Sequence, residues 1–191
     1  ATASVGICVF HYRWPLGSAL REARRALEEA KESGRNALGI VVQRRSGSVS
    51  KTVLPFWVEN GSGAPSDSVP VLSLVELTHC FATNKRAVSP RLATAFRQEI
   101  AGLHIEPVAG RLSTRRSSPE LWNIGQALAK RVIGRRELNV DEQMAPDLER
   151  IVMEVGEGVR HSHRQDDAHA LFAWSEALTV AAFLARAGER G

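Results

Sequence analysis

Near residue 60 the sequence changes period, and that change restricts the chain to two kinds of packing in series. Before it, short β-prone runs bracket a single amphipathic segment. After it, apolar residues recur at helical spacing almost to the end. The break itself, Asn60-Gly61-Ser62-Gly63-Ala64-Pro65-Ser66, consists of residues that favour turns and linkers over either period. The pattern predicts an α+β chain with a first unit over 1–59, a linker over 60–70 and an all-α unit over 71–191.

Within the first unit, Val5, Ile7, Val9 and Phe10 predict a strand over 2–12, which Trp14-Pro15 stops. A helix follows, with Ser18 as its expected cap and Gly34 as its stop. Leu20, Ala23, Leu27 and Ala30 make its apolar face. A second strand is expected over 37–44 and a third over 51–58, joined as a hairpin through Arg45-Ser46-Gly47-Ser48. Five helices are expected beyond the linker, near 71–81, 90–101, 119–133, 146–159 and 167–187. Pro90, Pro119 and Pro146 fall in first turns, where a missing N–H costs nothing, and short connections suggest a small bundle.

Lys and Arg exceed Asp and Glu by 25 to 21, with a pI near 9.6, which suits a partner bearing phosphates. Cys8 and Cys80 lie far apart in apolar segments with no C-x-x-C spacing, so they read as packing residues in a reducing cytoplasm. No uncharged apolar stretch reaches the roughly 18 residues of a membrane span, and no membrane partner is expected. The chain opens without a Met directly into a β-prone run, as a piece of a longer protein would.

Lys31 and Arg35 stand four apart at the end of the first helix, where a point charge and a planar fork can meet a triphosphate together. Cations in a last turn also complement the helix dipole without any ligand. Two further basic groups invite phosphate contact: Arg111, Arg115 and Arg116 beside Ser and Thr, and Lys130, Arg131, Arg135 and Arg136 around Gly134. A solvated surface explains them equally well. His161, His163, Asp166, Asp167 and His169 carry metal-ligand chemistry, yet the string reads as a loop whose Asp residues cap the last helix, so no metal site is assigned. Trp57, Trp122 and Trp174 fall on apolar faces as core or interface anchors.

A strand carrying Ser4-Val5-Gly6 followed by a helix ending A-L-x-x-A-K-x-x-G-R-N (Ala26 to Asn36) resembles the closing half of a GGDEF-type or palm-type nucleotidyl cyclase. His11-Tyr12-Arg13-Trp14-Pro15-Leu16, the long helical tail and its end at Ala182-Phe183-Leu184-Ala185-Arg186 are similar to the large subunit of type III CRISPR effector complexes, type III-B branch. The resemblance implies the end of a ferredoxin-like palm (strand, helix, strand, strand) and a C-terminal helical domain. It further implies a parent nucleotidyltransferase that makes cyclic oligoadenylate from ATP when target RNA is bound. Mg2+ or Mn2+ would be held by a G-G-D-D hairpin that is absent from these residues, so this chain alone is expected to be catalytically silent. Implied partners are neighbouring subunits, guide RNA and target RNA. Two other readings remain: a non-catalytic RNA-binding or scaffold module, and a GGDEF-like signalling cyclase fragment.

Overall fold

The computed structural model describes residues 2–58, 69–83, 89–103, 106–108, 111–113, 118–135, 140, 142–163 and 166–188. Its first part runs β1 (Val5–Phe10), α1 (Leu16–Glu32), β2 (Ala37–Gln43) and β3 (Val49–Pro55). β1 pairs with β2 in parallel, from Val5 opposite Leu38 to Phe10 opposite Gln43. β2 pairs with β3 antiparallel through a turn in which the Gly47 N–H donates to the Arg44 carbonyl at 3.0 Å. The expected strand, helix, strand, strand order is therefore present in an α+β chain. Its β1–α1–β2 unit is unsplit, with no strand between the parallel pair, unlike the split unit of a complete ferredoxin-like sheet.

Gly6 and Gly39 are ladder partners in β1 and β2, and both lie directly under α1. A Cβ on Gly39 would stand 2.2 Å from the Ala26 carbonyl oxygen, and one on Gly6 2.3 Å from that of Ala23. Neither separation is tolerable, so bare backbone is what lets the helix lie on the strands. The helix reciprocates with small side chains, burying Ala19, Ala26 and Ala30. It starts at Leu16, with Pro15 as N-cap, rather than behind Ser18, whose hydroxyl instead accepts from Arg21 at 2.9 Å.

Residues alternate across a strand, so Ile40, Val42 and Leu54 face away from α1 and enter the main core with the helices. These are α2 (Pro70–Thr83), α3 (Arg91–Ala101), α4 (Ser118–Ile133), α5 (Ala145–Ser162) and α6 (Asp167–Gly188). Between α3 and α4 lies a hairpin of β4 (Glu106–Val108) and β5 (Arg111–Ser113), whose three-residue strands are too short to show a period in sequence. The linker expected at 60–70 falls mostly outside the described residues, and on either side of it sheet and helices share one core.

α6 is the axis of that core, packing on α2, α3, α4, α5 and β3. Among the described residues it alone has the length and composition to cross a membrane, and 72% of that apolar window is buried inside the fold, as in a core helix. Trp174 is fully enclosed, edge-on to Phe96 at 4.8 Å and 5.3 Å from Trp122. Its Nε1–H donates to the Val152 carbonyl at 3.1 Å, and a Cβ on Gly156 would stand 2.6 Å from its ring, so α5 and α6 fit in one way.

Gly39→Ala should force α1 off the sheet and cost about 1–3 kcal/mol, the usual range for overpacking. Urea unfolding checks this. A lower midpoint with an unchanged slope is expected, and wild-type stability would contradict the close approach.

Candidate functional site

The C-terminal turn of α1 carries the least relaxed backbone among the described residues. Ser33 is the C-cap, and three residues with positive φ follow: Gly34 at 112°, Arg35 at 63° and Asn36 at 51°. Glycine enters this region freely, but Arg and Asn do so only where their surroundings hold them. Two backbone bonds supply the hold: Arg35 N–H to Lys31 O at 3.1 Å, and Phe56 N–H to Asn36 O at 2.9 Å. Arg35 has consequently left the helix and shares no helical face with Lys31. The Lys31 ammonium pairs with Glu28 at 2.8 Å on the exposed side, whereas Arg35 makes no ion pair among the described residues.

The turn opens on a cleft of about 700 Å3 between α1, the end of β3 and the α5–α6 junction. Arg35, Trp57, His161, His163, Asp166 and His169 line it. A second chamber of about 660 Å3 shares Ser33, His163 and His169 with the first and continues past β3 and α6 to Lys51, Thr52 and Glu176. Clefts of this size, about 300–1,000 Å3, suit small-molecule ligands.

The junction is set by its Asp residues, as the capping reading expects. Asp166 Oδ1 accepts the His169 N–H at 3.0 Å, and Asp167 is held by Arg160 Nε at 3.0 Å. The rings of His163 and His169 stack, 4.6 Å between centroids and 18° between planes. Burial, and then the neighbouring His169, lower the His163 imidazole to a pKa of about 4, so it is uncharged at neutral pH. Stacked rings do not aim their lone pairs at one point, and among the described residues no three His, Cys, Asp or Glu side chains form a metal-binding group. Burial also raises both thiols, Cys8 and Cys80, which keeps them protonated and unreactive.

The basic clusters have acidic neighbours. Arg131 of α4 and Arg135, two residues past its end, both pair with Glu99 of α3, and Lys130 pairs with Glu149 of α5 at 2.9 Å. Arg111 opens β5, while Arg115, Arg116 and Arg136 lie outside the described residues. Trp122 and Trp174 are core residues and Trp57 sits half-exposed at the cleft. Sequence reasoning missed the second chamber, for which the one acid in the middle of the apolar α6, Glu176, was the available signal. No protein-family model matches the chain, and no curated protein matches it.

Because the folded pKa of His163 lies below its ordinary 6.5, the unfolded chain takes up the proton first as pH falls. Its contribution is intact above pH 6.5 and is lost as pH falls toward 4. Thermal melts should show that loss, on the order of 1–2 kcal/mol after solvent screening. His163→Gln should flatten the profile in that window, and an unchanged profile would exclude His163 as its source.

Proposed function

We propose that the chain forms one wall of a nucleoside triphosphate site with a helical domain behind it, in the setting its sequence resembles: the large subunit of a type III CRISPR effector complex. One observation carries this reading. The G-R-N that ends the cyclase-like motif is a strained turn presenting to a ligand-sized cleft a guanidinium that makes no ion pair among the described residues. Strain of this kind concentrates at functional sites, and the Arg fork matches phosphate geometry. Lys31, on the preceding helical turn, does not line the cleft, so in this reading Arg35 is the chain's cation at the phosphates and Lys31 stays paired with Glu28.

ATP is the substrate in this reading. The Mg2+ or Mn2+ that activates the attacking hydroxyl would be held by carboxylates outside the chain. This chain binds and orients phosphate without turning it over. Its helical domain meets neighbouring subunits and the guide–target RNA, through Arg111, Arg115, Arg116 and Arg136 and through Lys130, Arg131 and Arg135 where they can exchange a carboxylate for a phosphate.

The scaffold reading draws on a different observation, the pairing of Arg131 and Arg135 with Glu99, which uses those cations to tie α3 to α4.

Three measurements separate these readings. Arg35→Ala should weaken tripolyphosphate binding at least about tenfold by calorimetry, the effect of losing a charge-assisted bond. Equal affinity removes Arg35 from the site. Incubation of the chain with ATP and Mn2+ should give no oligoadenylate, and any product would refute the split of wall from metal site. Arg135→Ala should flatten the dependence of RNA affinity on salt if the residue reaches phosphate, and leave it unchanged if it serves only Glu99.

A further inference from the structure

The carboxyl ends of β1 and β2 carry cations that have no acidic partner among the described residues. Register places Phe10 opposite Gln43, so the loop His11-Tyr12-Arg13-Trp14 and the hairpin beginning Arg44-Arg45 leave the sheet side by side. The Arg44 guanidinium lies 5.7 Å from the centre of the Phe183 ring, which brings the last turns of α6, and with them Arg186, to the same end. The cleft lies at the other end of the sheet, at the start of β2 and the end of β3. Arg13, Arg44, Arg45 and Arg186 make no ion pair among the described residues. Arginines of the helices are matched instead: Arg97, Arg131, Arg150 and Arg160 each meet a carboxylate. Arg44 donates to the hydroxyls of Ser48 at 3.3 Å and Ser50 at 3.0 Å, which fixes its position without neutralising its charge. The N-terminus of α1 adds to the field, since no side chain caps this 17-residue helix and its first turn holds no acid.

Among these cations stands Tyr12, 77% exposed. Its ring is braced by His11, 4.5 Å away between centroids, and by the Arg13 guanidinium at 5.5 Å, so neighbours in the loop hold it out rather than the core holding it in. A cluster of unmatched arginines attracts a polyanion, and an exposed ring among them gives that polyanion something to stack on. Bases in a duplex are stacked on one another, so only unpaired bases can use such a ring. An acidic peptide would meet the cations but bring no base to the ring. Gln43, the amide that ends β2, is 4% exposed and donates to the Gly47 carbonyl at 3.2 Å, so it does not read a base edge. We propose that this end of the sheet binds a single-stranded polynucleotide without sequence preference, its phosphates on Arg13, Arg45 and Arg186 and one base on Tyr12. None of these residues belongs to the triphosphate site or to the RNA contacts of the helical domain, and the inference rests on neither.

Charge and stacking leave different signatures, and fluorescence anisotropy reads both. Labelled oligo-U and oligo-dT strands of about 12 nucleotides, a duplex of the same length and an oligo-aspartate peptide are titrated with the 191-residue chain at several salt concentrations. Both strands should bind, with a slope of log affinity against log salt of about −2 for three phosphate contacts. Arg45→Ala and Arg186→Ala should each take roughly 0.7 off the size of that slope. Tyr12→Ala should weaken binding about fivefold or more with the slope unchanged, and Tyr12→Phe should keep the wild-type affinity. All three side chains are exposed, and unchanged melting temperatures tie any loss to the surface. Tighter binding of oligo-U or of oligo-dT identifies the sugar, and either order upholds the proposal. A slope untouched by Arg45→Ala and Arg186→Ala overturns it. So does a duplex bound as tightly as the strands, or oligo-aspartate bound more tightly, which makes the surface a protein interface. A loss confined to Arg135→Ala overturns it as well and leaves the RNA contacts of the helical domain standing.

Discussion

The contact between α1 and the bare backbones of Gly6 and Gly39 sets the rest of the sheet half. A helix seated that low leaves no volume for large side chains beneath it, and what remains on that face near its end is the small group Ala30, Ala37 and Val53. The bulk of the apolar sheet surface, Ile40, Val42 and Leu54, is therefore turned to the other side, where the helices cover it. The same contact fixes where α1 must end. Its last turn arrives at the start of β2 and beside the end of β3, and the chain passes between them through three positive-φ residues. The cleft is a consequence of that descent, closed on its far side by the α5–α6 junction.

Sequence periodicity made the architecture legible to within a few residues. Five helices expected near 71–81, 90–101, 119–133, 146–159 and 167–187 are α2 to α6, because each carries an apolar stripe long enough to define a period and a breaker near each end. The start of α1 was misplaced because Ser18 is a good cap by residue type, while Pro15, with its φ of −61°, opens the helix earlier. The hairpin of β4 and β5 has no period to read. The Gly in S-V-G was legible as part of a motif, but its physical reason appears only when Gly39, far along the chain, is seen beside it under the same helix.

The candidate site was less legible, because charge placement depends on contacts that sequence distance hides. The four-residue spacing of Lys31 and Arg35 gives a common side only on helical backbone, and α1 ends at Glu32, ahead of the stop expected at Gly34. Arg131 and Arg135, part of the cluster read around Gly134, meet Glu99, 32 and 36 residues away and invisible to any local pattern. Of the histidine string, expected as a loop, His161 belongs to α5 and Asp167 and His169 to α6, while the expected cap is present at Asp166 as a local bond. That its rings stack under the end of α1 follows from tertiary packing alone.

Along α6 the degree of polar satisfaction changes sharply. At Trp174 the indole N–H reaches Val152, the ring has aromatic neighbours on two helices, and Gly156 makes room for it, so no alternative packing competes. Nearby, at Glu176, the same helix faces β3 with a carboxylate that is half satisfied and a threonine opposite that is not satisfied at all. A protein interior can bear such a deficit only where neighbouring contacts are strong enough to hold the backbone, which the tryptophan cluster supplies. The rigid packing around Trp174 therefore supports the unsatisfied residue two positions along the same helix.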